Sequence, residues 1–459
     1  MTWAPDAAQV AAVLHRAEER GLSHVHLGMF DGHGHLIAKR YHVANLEKSM
    51  TEGAHLVAAI LAAAPSGTDM VASHPLADPA RQFGDGVLRM DPASCRDFPL
   101  EPGGPGLLLI GEFVDATRAY CSRGQLSTEL ARWDELGLEV VGALEMESVA
   151  LDETAASLAG KSAEALRLRR GYSPPYQLVG DPAELAYLDE LNRVCEAMDV
   201  PLECQHTEFM YLLESSLRPT TGVRIADNAA LYKNVAKLLA RRHGFMMSFM
   251  ARWHPQHQGC GAHFNVSLRD RDSGRPVFHD PDGRHGVSDE LRWFVGGLQA
   301  YLPELMLLLA PNLNSYRRFA PGLFTPLNNT WGIDNKTVAH RVLADAPASA
   351  RVEMRLAGAD VSPHLGLTAV LAAGRLGLAE RREPPAPVSG SGWHLEAAPE
   401  PALPLTFEAA IEAFEGSRIA RDVLGESFVE AFVSDRRWQL ERFQQTVTDW
   451  ELRMFAEGG

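Results

Sequence analysis

Residues 311–355, PNLNSYRRFAPGLFTPLNNTWGIDNKTVAHRVLADAPASARVEMR, form a basic stretch in an otherwise acidic chain. Its cations stand among Pro, Gly and Asn rather than among helix formers, which is typical of loops that bind ligands. They are Arg317, Arg318, Lys336, Arg341, Arg351 and Arg355. This concentration of positive charge predicts that the stretch holds an anion.

The end of the stretch, residues 350–356, alternates polar and apolar residues and is expected to form a strand. Alternation places Arg351, Glu353 and Arg355 on one face of that strand. Two guanidinium groups would then flank one carboxylate and keep it ionised. The same pattern also fits an ordinary ion-pair ladder on a solvated strand face.

Length and charge limit the class of protein. The chain has 459 residues, 46% of them hydrophobic, which is enough for a large core and favours two or more structural units. Asp and Glu outnumber Lys and Arg by 59 to 43, and the formal net charge is −16. Such a surface argues against nucleic acid or an anionic membrane as the main partner.

Cysteine usage and the apolar segments favour a reduced, cytoplasmic setting. The cysteines are scattered and odd in number, without a CxxC pair, so neither a disulfide framework nor a zinc finger is indicated. They are Cys95, Cys121, Cys195, Cys204 and Cys260. The first residues lack the basic start and apolar core of a signal peptide. The most apolar windows, 55–65 and 302–312, are too short to span a bilayer.

The pattern of turns divides the chain into two expected domains, 1–118 and 119–459. In the first, residues 24–43 are expected to form two strands joined by a turn at Asp31-Gly-His-Gly. A short strand is expected at 139–144 in the second domain, and an exposed Pro/Gly/Ser-rich loop at 381–393. Helices are expected at 6–20, 125–136, 182–198, 226–243, 365–378 and, as an amphipathic tail, 406–454.

Acidic residues outside the basic stretch form two candidate ligand pairs. Glu145 and Glu147, one residue apart on an expected strand, point to the same face and repel one another unless a cation neutralises them. Glu208 and Glu214 lie among long apolar residues in CQHTEFMYLLESSLRP, where buried acids need partners. Solvated strand faces also carry such pairs, so neither pair is decisive alone.

The segment 258–268, QGCGAHFNVSL, places a histidine after closely spaced glycines, with His263, Asn265 and Ser267 at alternate positions of an expected strand. Carboxylates with one histidine form an oxygen-rich ligand set, which favours Mg or Mn over Zn. Divalent ions beside arginines are what phosphoryl transfer from ATP needs. Since the sequence has no Walker loop and no protein-kinase signature, a nucleotide site of another kind is expected.

Taken together and in this order, these segments resemble the glutamine synthetase superfamily over nearly the whole chain. The matching motifs are E-x-E in ALEMES, G-x-G-x-H in GCGAHFNVSL, NSY-R-R-x-x-P-G, W-G-x-x-N, R-x-E-x-R and the C-terminal FVEAFVSDRRWQLERFQQTVTDWE. The resemblance implies an α+β fold, with a small N-terminal β-grasp-like domain and a large catalytic α/β domain containing an open antiparallel half-barrel. It also implies a ring-shaped homo-oligomer, expected as stacked hexameric rings, in which Asp31 reaches a neighbour's site.

The activity that this resemblance implies is that of an ATP-dependent ligase. ATP would phosphorylate a side-chain carboxylate, expected to be the γ-carboxyl group of L-glutamate. An amine would attack the acyl phosphate to give an amide, ADP and phosphate. Two or three Mg or Mn ions are implied beside ATP.

The resemblance also implies roles for individual residues. One set of metal ligands is Glu147, Glu214 and Glu208, and the other is Glu145, His263 and Glu353. The implied ATP contacts are Asn265, Ser267, Arg341 and Arg351. The implied contacts to the acid and amine substrates are Gly259, His263, Arg318, Phe324 and Arg355. The implied catalytic residues are Asp31, Arg318, Lys336 and Arg341.

Departures from the family pattern bear on the substrates. Phe324 stands in PGLFTP where ammonia-using members carry a glutamate, and this resembles the γ-glutamyl-amine ligase branch, which uses organic amines. Lys336 replaces the usual arginine and loses its planar fork. The segment EFMYLLE lacks the family's Gln, so either Glu208 or, by ungapped spacing, His206 takes the metal position. Residues 249–253, FMARW, add bulk where relatives have a Lys-Pro pair.

Three alternatives to an organic-amine ligase remain at this stage. The chain could use ammonia as a true glutamine synthetase, or an acid other than glutamate, or it could be a non-catalytic assembly. The acidic residues and arginines argue against the last, because unpaired charges in a buried site cost several kcal/mol each.

Overall fold

The computed structural model describes residues 5–101, 104–169, 174–177, 182–209, 211–395 and 401–458. Within these ranges the strands form two sheets, one before residue 118 and one after it. The expected α+β class and the curled, open half-barrel are confirmed.

The first sheet starts with the expected hairpin. Its strands are β1 (His24–Phe30), β2 (Leu36–His42), β3 (Ala54–Val57), β4 (Asp85–Met90), β5 (Arg96–Phe98) and β6 (Gly106–Phe113). The order across the sheet is β2-β1-β6-β4-β3, with β5 also paired to β6. β1 and β2 pair antiparallel from His24–His42 to Phe30–Leu36, which leaves Asp31 in the connecting turn.

Two helices pack on this first sheet, α1 (Ala7–Glu19) and α2 (Leu46–Thr51). Val10 of α1 and Met50 of α2 belong to one buried cluster with Leu27 of β1. Asp6 accepts a hydrogen bond from the backbone of Ala8 and so caps the start of α1.

The second sheet carries the acidic motifs. Its strands are β7 (Leu138–Leu151), β8 (Leu202–Thr207), β9 (Leu212–Leu217), β10 (Thr220–Thr221), β11 (Met246–Ser248), β12 (Ala262–Asp270), β13 (Trp331–Ile333), β14 (His340–Leu343) and β15 (Arg351–Met354). The order is β13-β14-β15-β12-β7-β9-β8, and β10 and β11 also pair with β7. β7 therefore lies at the centre, and it runs further than the strand expected at 139–144, through both Glu145 and Glu147.

The pairing of the second sheet departs from an all-antiparallel arrangement at one edge. β13 and β14 are parallel, whereas β14 pairs antiparallel with β15. The chain loops back between β13 and β14 at Asp334, which has a φ of 42° and whose backbone N–H donates to Val342. This loop lets two short strands run parallel without a long crossover.

The remaining helices accompany the second sheet, and most of them contribute buried residues to the core. They are α3 (Ser122–Glu135), α4 (Ala155–Leu158), α5 (Pro182–Ala197), α6 (Arg224–Arg242), α7 (Asp289–Leu309), α8 (Leu313–Tyr316), α9 (Pro363–Glu380), α10 (Phe407–Gly416), α11 (Arg418–Leu424), α12 (Glu426–Gln444) and α13 (Asp449–Phe455). α7 and α9 approach very closely, because a Cβ atom on Gly297 would lie 2.1 Å from the carbonyl oxygen of Ala373. The expected helix at 365–378 is thus confirmed as a core helix.

The C-terminal tail is broken into four helices rather than the single helix expected at 406–454. Ser417 accepts a hydrogen bond from the backbone of Ala420 and starts α11. Gly425 follows with a φ of 86°, which ends that helix. Capping residues therefore divide a segment whose apolar pattern alone predicts a single helix.

Short 3₁₀ helices fill several connections: Val43–Asn45, Ala58–Ala62, Pro75–Ala77, Pro79–Arg81, Pro92–Ser94, Ala116–Tyr120, Ala163–Ala165, Arg284–Gly286 and Pro347–Ser349. Among the described residues, no helix combines the length and the apolar character that crossing a bilayer requires.

Candidate functional site

Strand register brings the sequence motifs to one region of the second sheet. Glu145 of β7 lies opposite His263 of β12, and Glu147 of β7 lies opposite Glu214 of β9. Because side chains on alternate positions share a face, Glu145 and Glu147 point the same way, as the sequence predicts. The acidic motifs, which are far apart in sequence, therefore meet across neighbouring strands.

The first group of potential metal ligands is Glu145, His263 and Glu353. Each offers one ligand atom, and these atoms lie within 4.8 Å of one another. Nδ1 of His263 lies 3.2 Å from Oε2 of Glu145 and 3.6 Å from Oε1 of Glu353. This is the set that the family resemblance assigns to one metal, and its members lie together.

Two arginines enclose Glu353. Nη1 of Arg341 donates to Oε2 of Glu353 at 2.6 Å, and Nη1 of Arg355 donates to Oε1. Glu353 is 1% exposed and Arg355 4%, so the interpretation of this strand as a solvated ion-pair ladder is wrong. Burial opposes ionisation of Glu353, but His263, Arg355 and Arg341 outweigh it and lower the pKa of Glu353 to about 2.

The second group is His206, Glu208 and Glu214. Nε2 of His206 lies 2.9 Å from Oε1 of Glu208 and 3.7 Å from Oε1 of Glu214. His206 and Glu208 therefore both lie beside Glu214, and the structure brings together the two residues between which the sequence left the choice open. Burial, followed by the charges of Glu147, Glu145 and Glu208, raises the pKa of Glu214 to about 9. A bound cation would relieve this repulsion.

Glu147 connects the two groups through Gly261. The backbone N–H of Gly261 donates to Oε2 of Glu147. A Cβ atom on Gly261 would lie 2.6 Å from Nη2 of Arg318 and 3.3 Å from Nε2 of His263. Glycine is needed here because a Cβ atom would collide with the guanidinium group of Arg318. Gly259, by contrast, is required by the backbone, since its Cβ would lie 2.1 Å from the carbonyl oxygen of Ala251.

Arg318 and Arg355 place two buried positive charges beside the carboxylates. Arg318 donates to the carbonyl oxygens of Leu356 at 3.1 Å and of Arg355 at 3.4 Å. Burial lowers the pKa of Arg318, although Glu147 opposes this. Nε of Arg355 is buried and has no hydrogen-bond partner among the described residues. An anionic substrate group would supply the missing acceptor.

The residues expected at ATP lie on the neighbouring strands β12, β14 and β15. Nδ2 of Asn265 donates to Glu145 at 3.2 Å, and Oδ1 of Asn265 accepts from Nε of Arg351 at 3.0 Å. Ser267 donates to the carbonyl oxygen of Ala350 at 2.7 Å. Lys336 is exposed and has no polar partner in the described part of the chain.

Phe324 lies at the edge of the site in a group of aromatic rings. Its ring centroid is 5.1 Å from that of Trp393 and 6.4 Å from that of Phe209, and the guanidinium carbon of Arg355 lies 5.9 Å from the Phe324 ring. Phe324 is 40% exposed and Phe209 53%. We call Phe209, Phe324 and Trp393 the aromatic wall.

Sequence reasoning missed Phe209 and Trp393. Phe209 directly follows Glu208, so its proximity to a candidate ligand was a usable signal. Trp393 stands at the end of a loop expected to be exposed, and its Nε1 is buried without a hydrogen-bond partner within the described residues. Tyr176, whose ring stacks on His206 with centroids 4.9 Å apart, was missed as well.

Asp31 lies apart from these groups within its own chain. It is buried and accepts hydrogen bonds from the backbone of His33 and His35, both at 2.8 Å. Its expected action on a neighbouring subunit stays a prediction.

The donor set fits divalent cations and a phosphate-bearing substrate. Each group offers two carboxylates and one imidazole, a combination suited to Mn or Mg. The unpaired Nε of Arg355 offers a donor to an anionic group.

Comparisons with known proteins agree with this geometry. The glutamine synthetase catalytic domain matches residues 119–455. Type-1 glutamine synthetase 2 of Dictyostelium discoideum is 31% identical over 82% of this chain and 72% of that protein. Gamma-glutamylethanolamide synthetase GlnA4 of Streptomyces coelicolor is 29% identical over 92% of this chain and 89% of its own.

A solved structure of GmaS with ADP superposes with a TM-score of 0.80 at 22% identity, covering 96% of this chain and 99% of that one. This likeness supports the fold. The match of the catalytic domain to most of the chain identifies the family, whose members include enzymes that form carbon–nitrogen bonds. The chain belongs to the glutamine synthetase family.

Proposed function

We propose that this chain is an ATP-dependent ligase that joins the γ-carboxyl group of L-glutamate to an organic amine. The observation that carries the proposal is the aromatic wall, which stands beside Arg355 at the edge of the acidic and arginine-rich site. An apolar surface at this position favours an amine with a carbon substituent over ammonium. Aromatic rings bind ammonium less strongly than a carboxylate binds it.

We infer the roles of the charged residues from their positions. Glu145, His263 and Glu353 would hold one divalent ion, while Glu214 with His206 or Glu208 would hold another, and Glu147 lies beside Glu214. Such ions, when bound, supply positive charge to phosphate oxygens.

Two further arginines would bind the phosphates of ATP. Arg351 donates to Asn265, and Arg341 donates to Glu353.

Binding of the acid is assigned to the two buried arginines. Arg318 and Arg355 lie next to each other, and a substrate carboxylate would satisfy the unpaired Nε of Arg355. This arrangement would orient the substrate so that its second carboxylate meets the γ-phosphate of ATP. Orientation of two anions against each other is the main task of such a site.

The same proposal covers chain organisation. Residues 1–118 would form one domain and 119–459 the other, which is supported by the separate sheets and by a family match that begins at residue 119. Self-association into a ring would allow Asp31 to approach a neighbouring site. The partners would be small acids and amines.

The test is phosphate release from ATP with Mg or Mn across a matrix of acids and amines that includes glutamate and ammonia. Release that requires glutamate and one class of organic amine is the expected result. Release with glutamate and ammonia, but with no organic amine, would identify a glutamine synthetase instead. Turnover with another acid would contradict the assignment of glutamate, and metal and ATP binding without any turnover would favour a non-catalytic assembly.

Phe324→Glu is expected to raise the use of ammonia relative to the preferred amine at least about tenfold, since a hydrogen bond to a charged group contributes about 1.5–3 kcal/mol. The measurement is the ratio of kcat/KM for the two nitrogen donors. Phe324→Leu is the matched control, because it removes the ring without adding charge, and it should weaken amine use without improving ammonia use. An unchanged ratio in Phe324→Glu would mean that Phe324 does not determine which amine is used.

His206→Ala is expected to weaken Mn²⁺ binding at least about tenfold, which is the scale on which residues around metal sites act. Free Mn²⁺ measured by electron paramagnetic resonance gives the affinity without any turnover. His243→Ala is the control, since His243 pairs with Glu190 at 2.7 Å outside the site. Normal affinity in His206→Ala with a loss in Glu208→Gln would assign the position to Glu208.

A further inference from the structure

A cavity lies between α6, β11 and the turn that follows β1. Its volume is about 310 Å³, and its lining includes His33, His35, Lys233, Lys237, Arg241 and Asp360. None of the candidate metal ligands and none of the four arginines of the acidic site lines it. We call it the α6 cavity.

Three cations of α6 face this cavity with helical spacing. Lys233, Lys237 and Arg241 follow one another at intervals of four residues, which places them on one side of the helix. Like charges at this spacing repel one another. The row is therefore unfavourable unless something negative lies beside it.

Lys233 is buried and Lys237 is half-buried, and both have few acceptors. Lys233 is 4% exposed, and its Nζ donates to the carbonyl oxygen of Val361 at 2.8 Å. Nζ of Lys237 lies 5.7 Å from the ring centroid of Phe249 and makes no hydrogen bond or ion pair within the described residues. An ammonium group carries three donors, so most of this capacity is unused. Burial and, next, the charge of Lys237 lower the pKa of Lys233 to about 7.

The carboxylates near the cavity are partly engaged elsewhere. Asp360 is the one acid among the described lining residues, and its Oδ2 accepts from Nδ2 of Asn312 at 2.9 Å and from Oγ of Ser315 at 2.6 Å. Its Oδ1 is buried without a hydrogen-bond partner within the described residues. Asp31, behind the turn, accepts from the backbone of His33 and His35 and from the ring of His35. Positive charge thus exceeds negative charge on the walls of the cavity.

We propose that the α6 cavity binds a compact organic anion through carboxylate or phosphate groups. The volume is at the lower end of small-molecule sites, which are about 300–1,000 Å³. An anion there meets the free donors of Lys233 and Lys237 and offsets the repulsion along α6. The exposed guanidinium group of Arg241 gives the cavity a positive entrance.

Such an anion also bears on the turn that carries Asp31. Asn234, on the same helix, accepts from the backbone of Leu36 at 3.2 Å and donates to the carbonyl oxygen of Gly34 at 2.9 Å. His33 and His35 of this turn line the cavity. A bound anion therefore strengthens the attachment of the turn to α6 and stabilises the folded chain.

The test is isothermal titration of the full chain with inorganic phosphate and, separately, with succinate, at ionic strength held constant with sodium chloride. Saturable binding of one of the two anions is expected. Binding of inorganic phosphate indicates recognition of a phosphate group, and binding of succinate indicates recognition of carboxylates. Lys237→Met, which keeps most of the length of the side chain and removes its charge, should weaken that binding at least about tenfold, as loss of a charge-assisted hydrogen bond does. Arg241→Met, at an exposed position, should weaken it as well and carries little risk to folding.

Two controls separate this cavity from the acidic site and from surface charge. Lys48→Met removes an exposed lysine of α2 and should leave binding unchanged. Arg341→Met changes the acidic site and should also leave it unchanged. Loss of binding in Arg341→Met with retention in Lys237→Met would place the anion in the acidic site and overturn the proposal. Absence of saturable binding by both anions would overturn it too.

Discussion

Glu353→Gln is expected to reduce ATP-dependent phosphate release at least about 100-fold, the scale seen when one essential electrostatic contact is removed from an active site. The amide keeps the size of the side chain and still accepts a hydrogen bond from Arg341. It loses the negative charge that His263, Arg341 and Arg355 surround. Steady-state phosphate release with Mg or Mn measures the effect.

The chain offers a matched control for the structural part of this change. Glu129 is also 1% exposed and also lies between two arginines, with Arg375 at 2.6 Å and Arg132 at 2.8 Å. Glu129→Gln should lower thermal stability to a similar extent while turnover stays near normal. Equal losses of turnover in both variants would attribute the effect to stability and contradict the role of Glu353.

Much of the acidic site could be predicted from sequence, because side chains two residues apart on a strand lie on the same face. The spacing of Glu145 and Glu147 fixes their common face, and β7 keeps both on one strand. The spacing of Arg351, Glu353 and Arg355 likewise predicted two guanidinium groups near one carboxylate. Of these arginines, Arg355 contacts Glu353 directly, whereas Arg351 turns to Asn265.

Contacts between distant loops could not be read in the same way. Phe209, Phe324 and Trp393 meet through three loops of different length, and no periodic pattern relates them. The choice between His206 and Glu208 stays open, because His206 at the end of β8 and Glu208 just after it both approach Glu214. In the C-terminal segment the apolar pattern predicts one continuous helix. The structure has separate helices there, because Ser417 caps the start of α11 and Gly425 ends it.

The sheets are joined by a buried ionic network that the sequence did not indicate. Asp227 of α6 accepts from Nε of Arg123 at 3.2 Å and is paired with Nε2 of His364 at 2.8 Å. Arg123 also donates to Asp91, in the segment after β4, at 2.9 Å. Burial would raise the pKa of Asp227, but Arg123 and His364 outweigh it and lower that pKa. Ionised Asp227 therefore stabilises the fold above its ordinary pKa of 3.8, and this contribution is lost as the pH falls below it.

Asp227→Ala is expected to lower the free energy of unfolding by about 3–5 kcal/mol, because it removes the fully buried partner of the Arg123 charge and leaves Arg123 with the more exposed Asp91. Urea unfolding at fixed protein concentration and pH 7 measures the loss. Glu139→Ala breaks the exposed pair with Arg269, 3.5 Å apart, and should cost no more than about 1 kcal/mol. The double variant Arg123→Met with Asp227→Leu removes both charges and should recover part of the stability. A loss in Asp227→Ala no larger than in Glu139→Ala would mean that this network does not hold the two sheets together.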